Sequence, residues 1–301
     1  MASRTVHLPD ALADVARLVD ALFDEWLPVP GEPRARLFQA MRHAAIGGGK
    51  RLRPLLTVAT ADLFDVDRER SSRVAAAIEA IHVYSLIHDD LPCMDDDDLR
   101  RGKPTVHRAF DEATAVLAGD ALHALAFAVL ADEATHFDPR VRVELVALVA
   151  AASGPDGMAG GQMMDLVAET SEAPFDLPTV TRLQQLKTGA LIAASVEAGA
   201  VLGRASDEAR TRLKGYARDL GLAFQIADDL LDEEGDEALT GKALHKDAGA
   251  GKATFLSHMG ADDARAQARR LAEQATGHLS FWGAEADVLR AVARFVTERD
   301  R

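Results

Sequence analysis

Apolar residues recur three and four positions apart almost from one end of the chain to the other, set among many alanines. That spacing lines one face of an α-helix, and alanine is the strongest helix former, so the chain reads as helix after helix. The expected segments are about 9–27, 34–45, 52–64, 72–91, 107–135, 139–152, 157–169, 178–202, 207–234, 261–277 and 284–299. Strand signals are nearly absent: continuous β-branched runs do not occur, and two Tyr and two Trp are few for a sheet protein. The breaks, such as Gly47-Gly48-Gly49, Pro92 and Gly154-Pro155-Asp156-Gly157, are short, and helix resumes after each. The reading is one all-α domain over residues 1–301, without a fixed-period repeat.

Charge narrows this. The net charge is −14, from 48 acidic and 34 basic residues, and two ten-residue windows account for nearly all of it. Window 89–98 holds six Asp (Asp89, Asp90, Asp95, Asp96, Asp97, Asp98) and window 228–237 holds seven acids; neither contains Lys or Arg. The rest of the chain is close to neutral, so no basic field exists for nucleic acid, and a 48% hydrophobic content argues against an acidic disordered chain. One cysteine, Cys93, excludes an internal disulfide framework and a Cys-only zinc site. The charged N-terminal stretch does not read as a secretory signal, and no run of about 18 uncharged apolar residues is present. A cytoplasmic protein without a membrane anchor is expected.

Both acidic windows fall at the C-terminal ends of expected helices. Helix 72–91, with Ser71 or Ser72 as its expected cap, stops at Pro92; helix 207–234 starts after Ser206 and stops near Gly235. A helix C-terminus favours cations, and crowded carboxylates repel one another, so the same local rule is broken twice. A hard cation resolves the conflict. Asp228 and Asp232 are four apart on one helical face, and oxygen-only donors suit Mg²⁺. Asp89 and Asp95 are six apart, about 240° on an ideal helix, so a break near Pro92 is needed to bring them together.

Bases follow the acids. Gly47-Gly48-Gly49-Lys50-Arg51-Leu52-Arg53-Pro54 places flexible backbone and three cations at a helix start, where anions are best held. Arg100-Arg101-Gly102-Lys103 follows the first acidic window, and Lys242 and Lys252, each after a Gly, follow the second. The arrangement points to a polyphosphate bridged by Mg²⁺ and neutralised by Arg and Lys. His88 beside Asp89 also resembles the His-Asp pair of metal phosphohydrolases, but that reading leaves the Lys50–Arg53 segment unexplained.

These residues resemble the trans-prenyltransferases, or polyprenyl synthetases. Asp89-Asp90-Leu91-Pro92-Cys93-Met94-Asp95 is similar to the family's first aspartate-rich motif in its bacterial form, and Asp228-Asp229-Leu230-Leu231-Asp232 to its second. Gly49-Lys50-Arg51-Leu52-Arg53-Pro54, Gln185-Leu186-Lys187-Thr188-Gly189 and Gly251-Lys252-Ala253-Thr254 match in family order. The resemblance implies an all-α bundle around a deep central cavity, usually in a homodimer. It implies a transferase that condenses dimethylallyl or geranyl diphosphate with isopentenyl diphosphate. Asp89, Asp90, Asp95, Asp228, Asp229 and Asp232 would hold Mg²⁺, about three ions per site with Mn²⁺ as a substitute. Arg100, Lys187, Thr188, Gln225, Lys242 and Lys252 would hold the allylic diphosphate; Lys50, Arg53, His82 and Arg101 would hold isopentenyl diphosphate. Gln162 and Asp165 match a segment lining the cavity, whereas Cys93 has no derived role.

Product length is implied by Tyr84 and Ser85, five and four residues before Asp89. An aromatic there resembles the C15-forming, farnesyl diphosphate branch; smaller residues are typical of C20 or longer products. A ring about 7 Å along the helix from the metal site could form a floor, although an ideal helix turns Tyr84 about 140° from Asp89. The alternatives are a C20 synthase, a class I terpene cyclase, whose second motif normally differs from Asp228–Asp232, and a regulatory subunit, which would normally lack one acidic motif. A lid over 235–255 is also expected from its glycines and lysines.

Overall fold

The computed structural model describes residues 7–234, 254–256 and 258–298. The described chain is helical nearly throughout. Helices α1 (Leu8–Trp26), α2 (Ala35–Ala45) and α3 (Leu52–Asp62) lead into the long α4 (Arg68–Asp89). A small hairpin, β1 (Leu99–Arg100) and β2 (Lys103–Pro104), and a single turn, α5 (Val106–Ala109), precede α6 (Glu112–Ala131). Then come α7 (Pro139–Ser153), α8 (Met158–Thr170), α9 (Leu177–Gln184), a π-helical turn (Gln185–Gly189) and α10 (Ala190–Leu202). The described part ends with α11 (Asp207–Glu234), α12 (Ala261–His278) and α13 (Asp287–Glu298).

The centre of the bundle is α4, packed by α1, α2, α3, α6 and α10. Its middle, Val74 to Ile81, is buried on every side, so it shows no polar stripe. Small residues set the close approaches. A Cβ at Gly199 would come within 2.7 Å of α3 backbone, and one at Gly119 would collide with the His88 ring. On the other side α11 packs against α10, α12 and α13, and the buried Tyr216 hydroxyl donates to the Leu289 carbonyl at 2.8 Å. Both long helices thus run through the core and deliver their acidic ends to the site.

Four expectations change in detail. Helix 72–91 starts earlier, because Asp67 and not Ser71 or Ser72 caps it, accepting from the Glu69 and Arg70 amides. Helix 107–135 splits into α5 and α6, because Asp111 caps the second by accepting from Thr114 N. Segment 178–202 contains the π turn, and 284–299 opens with a 3₁₀ turn at Ala284–Ala286. The polar stretch 99–104 pairs as an antiparallel hairpin, with Leu99 opposite Pro104. Helix α6, 20 residues long, is by length and composition apolar enough to cross a membrane; in the bundle it lies against α4, α2 and α7 and carries Glu112 and Asp120.

Candidate active site

The end of α4 supplies the break that joins the first acidic window. After Leu91 the chain folds back, and Asp95 N donates to Asp89 O at 2.9 Å while Asp97 N donates to Asp90 O at 3.2 Å. Asp96 takes the left-handed backbone that this return requires, a conformation Asp tolerates better than most residues. Asp89 and Asp95 are therefore tied through the main chain, although six apart in sequence. Gln162 Nε2 of α8 donates to Asp89 Oδ1 at 2.8 Å.

Asp90 is 3% exposed and accepts from Arg100 Nε at 2.6 Å. Burial pushes its carboxyl above the usual range, against the pull of Arg100. Burial also works against the Arg100 charge, but the Asp90 hydrogen bond, with Asp89 and Asp97 nearby, holds the guanidinium above its ordinary value. Arg100, expected at the allylic diphosphate, is thus already bound to this loop.

The basic residues gather beside it. Hairpin residue Arg101 lays its guanidinium against Gly48 and Gly49, so closely that a Cβ at Gly49 would stand 2.5 Å from its Nη1. Arg53, in the first turn of α3, has its Nη1 3.4 Å from His82 Nε2 on α4. Burial, then Arg53 and the neighbouring guanidiniums of Arg101, Arg100 and Arg51, hold His82 well below its ordinary pKa, so it is a neutral partner to the cations. Lys50 is exposed, its Nζ 6.0 Å from the Phe295 ring centre of α13. A small cavity of about 60 Å³ opens between the glycine loop, the hairpin and α4, lined by Val83, Leu86, Asp90, Arg101 and Lys103 among others.

The described part of the second acidic window is regular helix as far as Glu234. Asp228 and Asp232 are half-buried on α11, and Asp228 lies close enough to Arg53 to favour its charge. Asp229, 4% exposed, accepts from Gln225 Nε2 and from Phe255 N, each at 2.8 Å. The π turn brings Lys187 Nζ 2.5 Å from Asp165 Oδ2 of α8. This turn packs on α8, and a Cβ at Gly161 would strike the Lys187 backbone. It also packs on α11, where Gly221 faces Gly189. Thr188 follows in the same turn, half-buried. Lys242 and Lys252, and most of the expected lid, lie outside the described residues.

Tyr84 points into the α4–α6 contact. Its ring meets His123 edge-on at 4.9 Å and His88 at 5.8 Å, and Phe127 continues the aromatic row from His123. Burial raises the Tyr84 hydroxyl pKa and lowers that of His123. Ser85 turns its hydroxyl back to the His82 carbonyl at 2.8 Å.

Among the described residues, no three of His, Cys, Asp and Glu converge tightly enough to hold one ion by themselves. The donor set still fits Mg²⁺. It is all carboxylate and divided between two helix ends, and Mg²⁺ normally takes one or two carboxylates with waters and phosphate oxygens. The link between the ends runs from Asp89 through Gln162 on α8 to Asp165, Lys187 and the α11 contact. The sequence carried a faint sign of it, since Gln162 and Asp165 are three apart on one face of a helix.

A family model described as polyprenyl synthetase matches residues 34–290. This chain belongs to the polyprenyl synthetase family. It is 44% identical over 282 residues to farnesyl diphosphate synthase of Escherichia coli, covering 91% of this chain and 92% of that protein. It is 39% identical to geranylgeranyl diphosphate synthase of Cyanophora paradoxa, covering 88% of each. The crystal structure of an FPP/GFPP synthase from Zymomonas mobilis superposes with a TM-score of 0.89 at 62% identity, covering 96% of this chain and 98% of that one. Each acidic motif of this polyprenyl synthetase lies inside the matched range.

Proposed function

We propose that this polyprenyl synthetase is a farnesyl diphosphate synthase, condensing dimethylallyl and then geranyl diphosphate with isopentenyl diphosphate, head to tail, with release of pyrophosphate. The observation that carries the reading is the convergence of two acidic helix ends on one basic cluster, with Asp228 on α11 acting electrostatically on Arg53 beside His82. Relatives named farnesyl diphosphate synthase support it.

In this reading Asp89, Asp95, Asp228 and Asp232 hold Mg²⁺, while Asp90 and Asp229 brace them through Arg100, Gln225 and the Phe255 amide. Bound Mg²⁺ would stabilise the charge that develops on the departing pyrophosphate. Lys187, Thr188 and Gln225 complete the shell of the allylic diphosphate, with Arg100 turning from the loop toward it. The allylic C–O bond breaks, the isopentenyl double bond attacks the resulting cation, and a C–C bond forms as a proton is lost to the released pyrophosphate. Lys50, Arg53 and Arg101 hold the isopentenyl diphosphate, and neutral His82 orients Arg53 without adding charge. No side chain of the enzyme forms a covalent bond to substrate.

Tyr84, backed by His123 and Phe127, forms the floor that stops growth at C15. A longer product is the second reading, favoured by the 62% identity to an FPP/GFPP synthase and by the geranylgeranyl diphosphate synthases among the relatives. The chain works as a cytoplasmic homodimer, joined through the uncovered and largely apolar face of α6 at Ala113, Val116, Leu117, Ala124 and Ala128, which also carries Asp120.

Sizing the products made from Mg²⁺, isopentenyl diphosphate and geranyl diphosphate tests the proposal. C15 is expected from the wild type and C20 or longer from Tyr84→Ala. Mainly C20 or C25 from the wild type overturns the C15 assignment, and unchanged C15 from the variant removes Tyr84 from the floor.

A further inference from the structure

Arg51 lies between two expected substrate ligands, Lys50 and Arg53, yet its side chain is turned into the interior. It is 2% exposed, and its guanidinium donates to Glu79 Oε1 at 2.8 Å, Asp20 Oδ1 at 2.7 Å and the Ala45 carbonyl at 2.5 Å. Glu79 is likewise 2% exposed, one turn before His82 on α4. The second oxygen of Asp20 accepts from Gly47 N at 3.1 Å. One cluster of side chains therefore grips the end of α2, the start of the glycine loop, its last residue, and α4. Between these grips the loop holds three left-handed residues, Gly47, Gly49 and Arg51. For Arg51 that backbone is unfavourable and persists only where its surroundings fix it.

A buried ion pair is weak evidence for stability, because desolvation offsets much of the attraction. Its retention here has a geometric reason. Lys50 and Arg53 flank the gripped residue, and Arg101 lies on the glycines that the grip shapes. Glu79 also offsets the cost of gathering the cations, since it favours charge on Arg53 and Arg101 where burial disfavours it.

We infer that Asp20, Arg51 and Glu79 form a clasp of positioning residues that sets the glycine loop, and with it Lys50, Arg53 and Arg101, for the isopentenyl diphosphate. The inference rests on the substrate reading given above. The clasp does not touch the allylic side of the site, so its loss acts on one substrate and spares the other.

Asp20 is partly exposed, so Asp20→Ala removes the Gly47 grip and one carboxylate from Arg51 while leaving the buried Glu79 in place, a smaller burden on folding than loss of Glu79 alone. Arg51→Met combined with Glu79→Leu replaces the buried pair by apolar side chains, an exchange cores often tolerate. Steady-state kinetics with each substrate varied in turn should show KM for isopentenyl diphosphate raised about 10-fold in both variants, as expected for displaced binding groups. KM for geranyl diphosphate should stay within about twofold, and kcat at saturation should change little. Asp20→Ala alone decides if the double variant does not fold. Unchanged KM for isopentenyl diphosphate, or parallel rises for both substrates, would overturn the clasp. A wild-type protein that condenses neither pair of substrates would instead overturn the reading on which it rests.

Discussion

The two acidic helix ends use the same residue types and are built in different ways. At the end of α4 the chain leaves the helix and hydrogen-bonds back onto it, so Asp89 and Asp95 are joined through the main chain, and the same loop carries a base, Arg100, on Asp90. At the end of α11 the helix runs on, and Asp228 and Asp232 share a face through the helical repeat alone. Its brace is distant in sequence: Asp229 reaches Phe255, twenty-six residues later. Order at the first end comes from its own return loop, with Gln162 of α8 added on Asp89, whereas the second end has Gln225 within the helix and shares the rest with the segment that follows it. The first end is closed by its own main chain, and the second is hydrogen-bonded to 254–256.

Replacing a carboxylate at either end should have the largest effect. Asp89→Asn and Asp228→Asn are each expected to lower kcat/KM about 10²- to 10³-fold, and the double variant should be little worse, because the two act as one unit. Steady-state assays of the three proteins check this; a single variant close to wild type would break the equivalence of the ends.

The braces separate the two designs. Asp90→Asn and Asp229→Asn each weaken a buried charge-assisted hydrogen bond and should lower stability by about 2 kcal/mol in urea unfolding. Hydrogen exchange then distinguishes them. The Phe255 amide should lose protection in Asp229→Asn and keep it in Asp90→Asn; equal protection in both would remove the coupling assigned to the second end.

A smaller effect concerns acid. His82 is neutral in the fold and its pKa lies well below the ordinary 6.5, first from burial and then from Arg53, Arg101, Arg100 and Arg51. The unfolded chain therefore binds a proton at His82 before the folded chain does. Stability from this group is complete above about pH 6.5 and is lost as pH falls below it. Melting temperature should decline less steeply between pH 7 and 5 in His82→Gln than in the wild type.

Much of this was readable in the amino-acid order. Helix spacing depends on residues three and four apart, so the eleven expected segments emerge within a few residues of their positions, with 107–135 and 178–202 each interrupted, and the Asp228–Asp232 pair follows from the same geometry. Asp89 and Asp95 were legible only as a requirement for a break. The return after Leu91 depends on main-chain hydrogen bonds, which any residue can make. The hairpin at 99–104 was hidden because two-residue strands carry no alternating pattern. The Gln162 and Asp165 links, and the Arg51 clasp, join residues 22 to 73 positions apart, and nothing in a local window signals such pairing.

The central claim is that both helix ends hold a single diphosphate through divalent cations. Titrating a non-reactive geranyl diphosphate analogue into the protein, with Mg²⁺ and with Mg²⁺ chelated, tests it directly. The account predicts tight binding only with Mg²⁺, lost alike in Asp89→Asn and in Asp228→Asn. Binding that persists without the metal, or that fails in one variant and survives in the other, would contradict it.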